Sequence, residues 1–323
     1  MEENFENKEP GMNEPEPGKP HKLESAYSPL GAAFLGLIAV FILYQFGGAV
    51  LTLAIFGLDF EKADVNALRM LTVGGQILFI LLPALIFAKL VYHDVTSALR
   101  VKLPNGREVV VFITGLILLI PLLQSFIYVQ NFVFTKLAEN ISFFDTIRKF
   151  LDELDKLVES AYGNLLEAHS FFEGSFIVFV VAAIPALCEE TFFRGFVQKS
   201  LEQRLKPYWA IIITSLFFGL YHFNPYGLIS LMALGAYFGF AAYTSSSIFI
   251  PMILHFINNF FAVITFLLIG DKDLINSNVT QNENIFPYLI SFIVLSVIFS
   301  FFIMYIHRNY NKIKGDRDDM PQV

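Results

Sequence analysis

Charge is scarce in this chain and cysteine is nearly absent. Asp, Glu, Lys and Arg make up 16% of the 323 residues, against 55% hydrophobic residues. A soluble domain of this length alternates apolar and charged faces. Most segments here do not, which excludes an ordinary soluble fold. The single cysteine, Cys188, rules out an internal disulfide and a cysteine-based metal cage. No basic patch is present, so nothing points to nucleic acid. The net charge of −7 says little, because the acids cluster in the termini and one loop. The N-terminus lacks the short apolar core and cleavage site of a signal peptide. Met1 to Ser28 is acidic and rich in Pro, Glu and Asn, and is expected to be a disordered cytoplasmic tail. A short charged tail of the same kind is expected from His307 onward.

What the chain has in quantity is long apolar sequence. A bilayer crossing takes about 20 apolar residues in a helix. Eight segments are candidates: Leu30–Phe56, Met70–Tyr92, Val109–Phe134, Phe172–Phe193, Tyr208–His222, Leu228–Tyr243, Ile248–Ile269 and Ile285–Ile306. The fifth and sixth are short and are separated by a tight turn, Phe223-Asn224-Pro225-Tyr226-Gly227. The expected fold class is all-α: a polytopic transmembrane helix bundle of about eight spans. It divides into residues 29–171, with the first three spans and a loop helix; 172–270, with spans four to seven; and 271–323, with the last span and the tail.

Basic residues are unevenly shared between the two sides of the spans, with fewer of them on the side that carries the long acidic loop. Lys19 and Lys22 precede the first span. Arg100, Lys102 and Arg107 lie between the second and third, and Lys199, Arg204 and Lys206 between the fourth and fifth. Arg308, Lys312, Lys314 and Arg317 follow the eighth. An even span count puts all four groups on one side, expected to be cytoplasmic, with both termini there. The absence of a eukaryotic targeting motif makes a bacterial cytoplasmic membrane the default location.

Between the third and fourth spans, Phe143, Ile147, Phe150, Leu154, Leu157, Ala161 and Leu165 recur at three- and four-residue steps. Asp145, Asp152, Asp155 and Glu159 occupy other positions. This is an amphipathic helix outside the spans. It is expected to lie on the outer membrane surface or on the bundle, with a lid or substrate guide as the alternative. Gly235 and Gly239 form a small-residue pattern that allows close helix approach, inside the bundle or between two copies.

Ionisable groups within apolar spans are costly, from about 2.5 kcal/mol upward each, and persist where they pair or do chemistry. The fourth span carries Glu189-Glu190-Thr191-Phe192-Phe193-Arg194. Glu190 and Arg194, four apart, share a helix face and can form an ion pair. Glu189 points about 100° away and is left for work as a general base. The fifth span ends in Phe218-Gly219-Leu220-Tyr221-His222, with Phe218 one turn before His222. The seventh carries His255-Phe256-Ile257-Asn258-Asn259, with His255 and Asn259 on one face. Taken singly, these groups read as headgroup contacts, a helix cap and interhelical hydrogen bonds. Together, an acid, two imidazoles and an amide on three helices are what hydrolysis of an acyl bond requires. Counting residues puts Glu189 and His255 at similar depth and His222 deeper, a gap that tilt or a longer helix must close.

The ordered set Glu-Glu-x-x-x-Arg, Phe-x-x-x-His and His-x-x-x-Asn resembles the intramembrane endopeptidases that include the type II CaaX prenyl protease and bacterial relatives, often called the CPBP or Abi family. The resemblance covers about Phe172 to Phe266 and leaves out the first three spans. It implies that Glu189 and His222 activate a water, and that His255 and Asn259 stabilise the oxyanion. Glu190, Arg194 and Phe218 would give structural support. The family has been described both as metalloproteases and as glutamate-dependent proteases with no required metal. A zinc ion, if used, would take Glu189, His222 and His255, since asparagine is a poor zinc ligand. We favour chemistry without a cofactor.

Other intramembrane protease signatures are missing. The chain has no His-Glu-x-x-His and no Gly-x-Gly-Asp, and Gly227-Leu228-Ile229-Ser230 lacks the final glycine of a rhomboid-type serine motif. Cys188 reads as a small buried residue. The partners implied are the bilayer and a peptide or lipidated protein substrate: a CaaX-type prenylated protein or a small membrane peptide. Two rival functions stay open from sequence. One is a proton-coupled transporter, since buried Glu and His also relay protons. The other is a non-catalytic scaffold or bacteriocin self-immunity protein.

Overall fold

The computed structural model describes residues 23–57, 64–166, 168–269 and 284–315, with 157–165 and 269 described by backbone alone. Most of the expected N-terminal tail therefore lies outside the described residues. We number the helices α1 Pro29–Phe56, α2 Val65–Val91, α3 Val95–Ala98, α4 Gly106–Asn140, α5 Ser142–Leu166, α6 Phe171–Glu202, α7 Pro207–Tyr221, α8 Leu228–Ser245, α9 Phe249–Ile269 and α10 Ile285–Lys314. No strand occurs among the described residues. Ser25 and Tyr92 make one isolated bridge.

Seven of these helices, α1, α2, α4, α6, α8, α9 and α10, are long and apolar enough to cross a membrane. The remaining apolar segment, the fifth, is α7, which has 15 residues and falls short of that length. The sixth segment, short by sequence, reaches 18 residues as α8. In an apolar medium only a helix pairs every backbone amide within its own segment, so these runs are helical throughout. Their starts carry polar caps. Ser28 accepts from the Gly31 amide with Pro29 next to it, and Asp64 accepts from the Ala67 amide at 2.9 Å. Asn105 and Glu108 form a reciprocal capping box.

The apolar side chains pack into two main cores. One joins α1, α2, α6 and α7, and the other joins α4, α8, α9 and α10. Polar bonds from α6 tie the two together. Arg194 donates to the carbonyl of Gly235 on α8 at 3.0 Å, and Gln198, one turn on, donates to Gly239 at 3.0 Å. Gly235 and Gly239 thus serve packing inside the bundle. A Cβ on Gly235 would lie 3.0 Å from the Phe218 ring and 3.2 Å from Arg194, and one on Gly239 would lie 2.7 Å from Gln198.

Lys136, Arg148, Lys149 and Lys156 lie on α4 and α5, while Arg100, Lys102, Lys199, Arg204 and Lys206 gather at one end of the bundle. There Leu99 and Arg100 tuck inward. Arg100 donates to the Arg194 carbonyl at 2.8 Å and pairs with Glu202, and its own carbonyl accepts from the Ile248 amide at 2.9 Å. The charged stretch from His307 is not a loose tail within the described residues. α10 continues to Lys314 because Tyr310 donates to Glu108 and Asn105 donates to the Lys314 carbonyl.

The amphipathic helix is present as α5, leaning on α4, with lighter contact to α2 and α9. Its faces are not divided simply into apolar inside and acidic outside. Phe143 and Phe150 are exposed, while Asp155 is buried and Asp152 accepts from the Tyr226 hydroxyl. That bond draws the acidic side of the helix toward the turn between α7 and α8. Burial and the neighbouring Asp152 push the Tyr226 hydroxyl well above the ordinary tyrosine range.

Candidate active site

Helix α6 does not run as a regular α-helix through its motif. It widens into π-helical turns at Phe179–Ala183 and Thr191–Val197. Similar turns occur at Leu43–Gly47 in α1 and Ile77–Leu81 in α2. Each of the four contains or adjoins a residue of the polar cluster: Val181, Arg194, Tyr44 and Gln76. Single π turns recur at functional sites because they rotate side chains out of the regular register and free backbone groups.

Glu190 and Arg194 pair at 2.8 Å with both side chains fully buried. The guanidinium lies 4.3 Å above the centre of the Phe218 ring, with Phe238 and Phe193 at 5.5 and 5.8 Å. Such cation–ring contacts contribute about 2 kcal/mol when desolvated. Phe218 is therefore the plate on which the arginine rests. Its ring also packs against His222, centroids 4.6 Å apart.

Glu190 has a second partner that its spacing with Arg194 does not suggest. His255 Nδ1 lies 2.8 Å from the same carboxylate oxygen. A carboxylate only accepts, so Nδ1 carries the proton and Nε2 is the nitrogen left for a ligand. The ring is held flat against Phe238, centroids 5.6 Å apart. Glu190 thus orients His255 as well as neutralising Arg194.

Asn259 is anchored by a proline on another helix. Pro185 has no N–H, so the Val181 carbonyl four residues earlier loses its helical donor. Asn259 Nδ2 fills that vacancy at 2.9 Å. Its Oδ1 accepts from Asn258 at 3.1 Å, leaving one amide hydrogen unspent.

His222 caps α7, and its Nδ1 lies 2.7 Å from the Phe218 carbonyl. The carbonyl can only accept, so Nδ1 is protonated and Nε2 faces Glu189. Nε2 and Glu189 Oε2 are 3.8 Å apart. The depth difference read from residue counts closes because α6 runs on to Glu202. Glu189 is then 13 residues from its helix end and His222 15 residues from Pro207, or roughly 20 and 22 Å. His255 sits at the same level, with its Nδ1 2.8 Å from Glu190.

All seven motif residues are therefore within one constellation. Glu189, Phe218, His222, His255 and Asn259 line a cavity of about 350 Å³ with apolar walls from Ile80, Phe193 and Leu234. Two further polar groups arrive from helices with no motif. Gln76 on α2 donates to Glu189 Oε1 at 3.0 Å and to the Tyr44 hydroxyl of α1 at 3.1 Å. Asn258 also lines the cavity. A polar glutamine inside an apolar span is the one sequence signal that could have found Gln76. Cys188, beside Glu189, is fully buried and does not line the cavity.

The residues do not assemble into a metal cage. Among the described residues no group of three or more His, Cys, Asp or Glu side chains is gathered closely enough to hold an ion. The atoms left open are His255 Nε2, His222 Nε2 and Glu189 Oε2.

Residues 171–261 match the family model described as type II CAAX prenyl endopeptidase Rce1-like. The matched stretch contains Glu189, Glu190, Arg194, Phe218, His222, His255 and Asn259, and excludes Tyr44 and Gln76. Neither a curated protein nor a solved structure matches the chain.

Proposed function

We propose, for a chain that belongs through residues 171–261 to the CPBP/CaaX protease family, an intramembrane endopeptidase that activates water between Glu189 and His222. The observation that carries this is the 3.8 Å approach of Glu189 Oε2 to His222 Nε2 at the cavity wall. That separation is too long for a direct hydrogen bond. It suits a water bonded to both groups at about 2.8 Å from each.

The chemistry then follows from the donors and acceptors in place. Glu189 takes a proton from the water, and the water oxygen bonds to the scissile carbonyl carbon. The carbonyl electron pair moves onto oxygen. The free amide hydrogen of Asn259, together with His255 when it carries a proton on Nε2, donates to that oxyanion. Collapse re-forms the carbonyl and breaks the C–N bond. The proton held by Glu189 passes to the departing nitrogen, giving a new carboxylate and a new amine. General base assistance contributes about 10²–10⁴ in rate, and one oxyanion donor about 3 kcal/mol.

The apolar cavity walls favour a substrate whose scissile bond is flanked by apolar or lipid-bearing residues, such as a prenylated protein terminus or a small membrane peptide. The basic end of the bundle supports an orientation with that end and both termini in the cytoplasm, in a bacterial cytoplasmic membrane.

The mechanism is tested by Glu189→Gln, His222→Gln and the double variant in single-turnover cleavage. Each single change is expected to lower the rate by about 10²–10⁴. The double should lose little more than either, because both act on one water. Fully additive losses would show that the two residues do not share it.

A further inference from the structure

We infer that Gln76, outside the family's matched segment, is a positioning residue for Glu189, and that Tyr44 sets Gln76 in turn. The inference rests on the hydrolytic reading of the site and deepens it. It makes α1 and α2 part of the active centre.

The side-chain amide of Gln76 has two hydrogens, and both are spent. One goes to Glu189 Oε1 at 3.0 Å and the other to the Tyr44 hydroxyl at 3.1 Å. Fixing Oε1 leaves the carboxylate one free rotation fewer, with Oε2 facing His222. Glu189 Oε2 has no hydrogen-bond partner among the described residues. The glutamine therefore occupies the oxygen not needed for the water and presents the one that is.

Gln76 is 3% exposed, and its own Oε1 is buried without a partner. An apolar side chain would fill the same space without leaving a buried carbonyl oxygen unpaired. The contact to Glu189 is what the glutamine adds. The local backbone is shaped for it: Gln76 ends the regular part of α2 before a π turn, and Tyr44 sits in the π turn of α1.

The experiment uses full-length protein in liposomes, with Gln76→Met, Tyr44→Phe and Glu189→Gln. Methionine keeps the length and loses the donor. Cleavage kinetics should show kcat for Gln76→Met reduced by about 10- to 100-fold, since misplacing a reacting group by about an ångström costs up to about 100-fold. KM should stay within about twofold, because the apolar walls that bind substrate are unchanged. Tyr44→Phe should lie between wild type and Gln76→Met. In parallel, infrared difference spectra across a pH titration give a carboxyl band assigned to Glu189 by its loss in Glu189→Gln. That band should move in Gln76→Met.

Wild-type kcat in Gln76→Met, or a loss confined to KM or folded yield with the band unmoved, overturns the inference. A moved band in a protein that cleaves nothing upholds the contact and sinks the protease reading instead. The two failures are therefore separable.

Discussion

Replacing Arg194 with methionine removes the charge at the centre of the bundle while keeping most of the volume. The guanidinium makes a 2.8 Å bond to Glu190, a 3.0 Å bond to the Gly235 carbonyl and a 4.3 Å contact with the Phe218 ring. Its loss strands two buried acceptors. An unpaired carbonyl costs about 1–3 kcal/mol, and breaking a buried ion pair by removing one partner costs about 3–5 kcal/mol in total. These figures overlap, and side chains in a membrane-bound unfolded state find other partners, so we take the lower end, about 3 kcal/mol. That is roughly a hundredfold in the folding equilibrium. The assay is reversible unfolding in mixed micelles, followed by circular dichroism for wild type, Arg194→Met, Glu190→Gln and the double variant. The double should be more stable than Arg194→Met alone, because neutralising Glu190 removes the stranded charge. An Arg194→Met protein within about 0.5 kcal/mol of wild type, or a double variant that sums the two singles, would refute the reasoning.

Gly235→Ala should destabilise by about 1–3 kcal/mol in the same assay, since its Cβ would press on Phe218 and Arg194 at 3.0 and 3.2 Å. An unchanged midpoint would mean that α8 can simply shift. Asn259→Leu should lower kcat by about 10²–10³ from loss of an oxyanion donor and cost about 1–3 kcal/mol of stability from the stranded Val181 carbonyl. Retained kcat would remove Asn259 from the oxyanion role. Outside the spans, hydrogen bonds from Ser97 and Thr96 hold Asp94 down to about 2 from an ordinary 3.8. A depressed carboxyl stabilises the fold above its unfolded value and loses that contribution as pH falls toward about 2. Thermal melts of Asp94→Asn should therefore show less acid sensitivity than wild type between about pH 4 and 2. Identical pH profiles would contradict the cap.

The parts of the site that can be read in sequence are those with local spacing in an apolar run. Glu190 and Arg194, Phe218 and His222, and His255 and Asn259 each sit four apart, and a helix makes them neighbours without further information. Their cross-helix partners are a different matter. Glu190 accepts from His255, and Asn259 answers the carbonyl that Pro185 leaves open, because two helices meet at one register. Gln76 and Tyr44 escape notice because a lone amide and a lone phenol in separate spans form no spacing pattern. The π turns that aim them have no sequence signature comparable to a cap. The fold follows the same division. Long apolar runs declare their helices, but the inward face of α5 depends on the Tyr226 hydroxyl reaching Asp152. The helical continuation to Lys314 likewise depends on Glu108 and Asn105, two hundred residues away in sequence.

The most direct measurement compares new peptide termini in membranes from cells carrying the wild type or Glu189→Gln at equal abundance. It requires no prior choice of substrate. The account predicts termini that appear with the wild type and vanish with Glu189→Gln, next to apolar or lipid-bearing residues. Identical sets of termini, with both proteins folded and abundant, would contradict a hydrolytic role for Glu189.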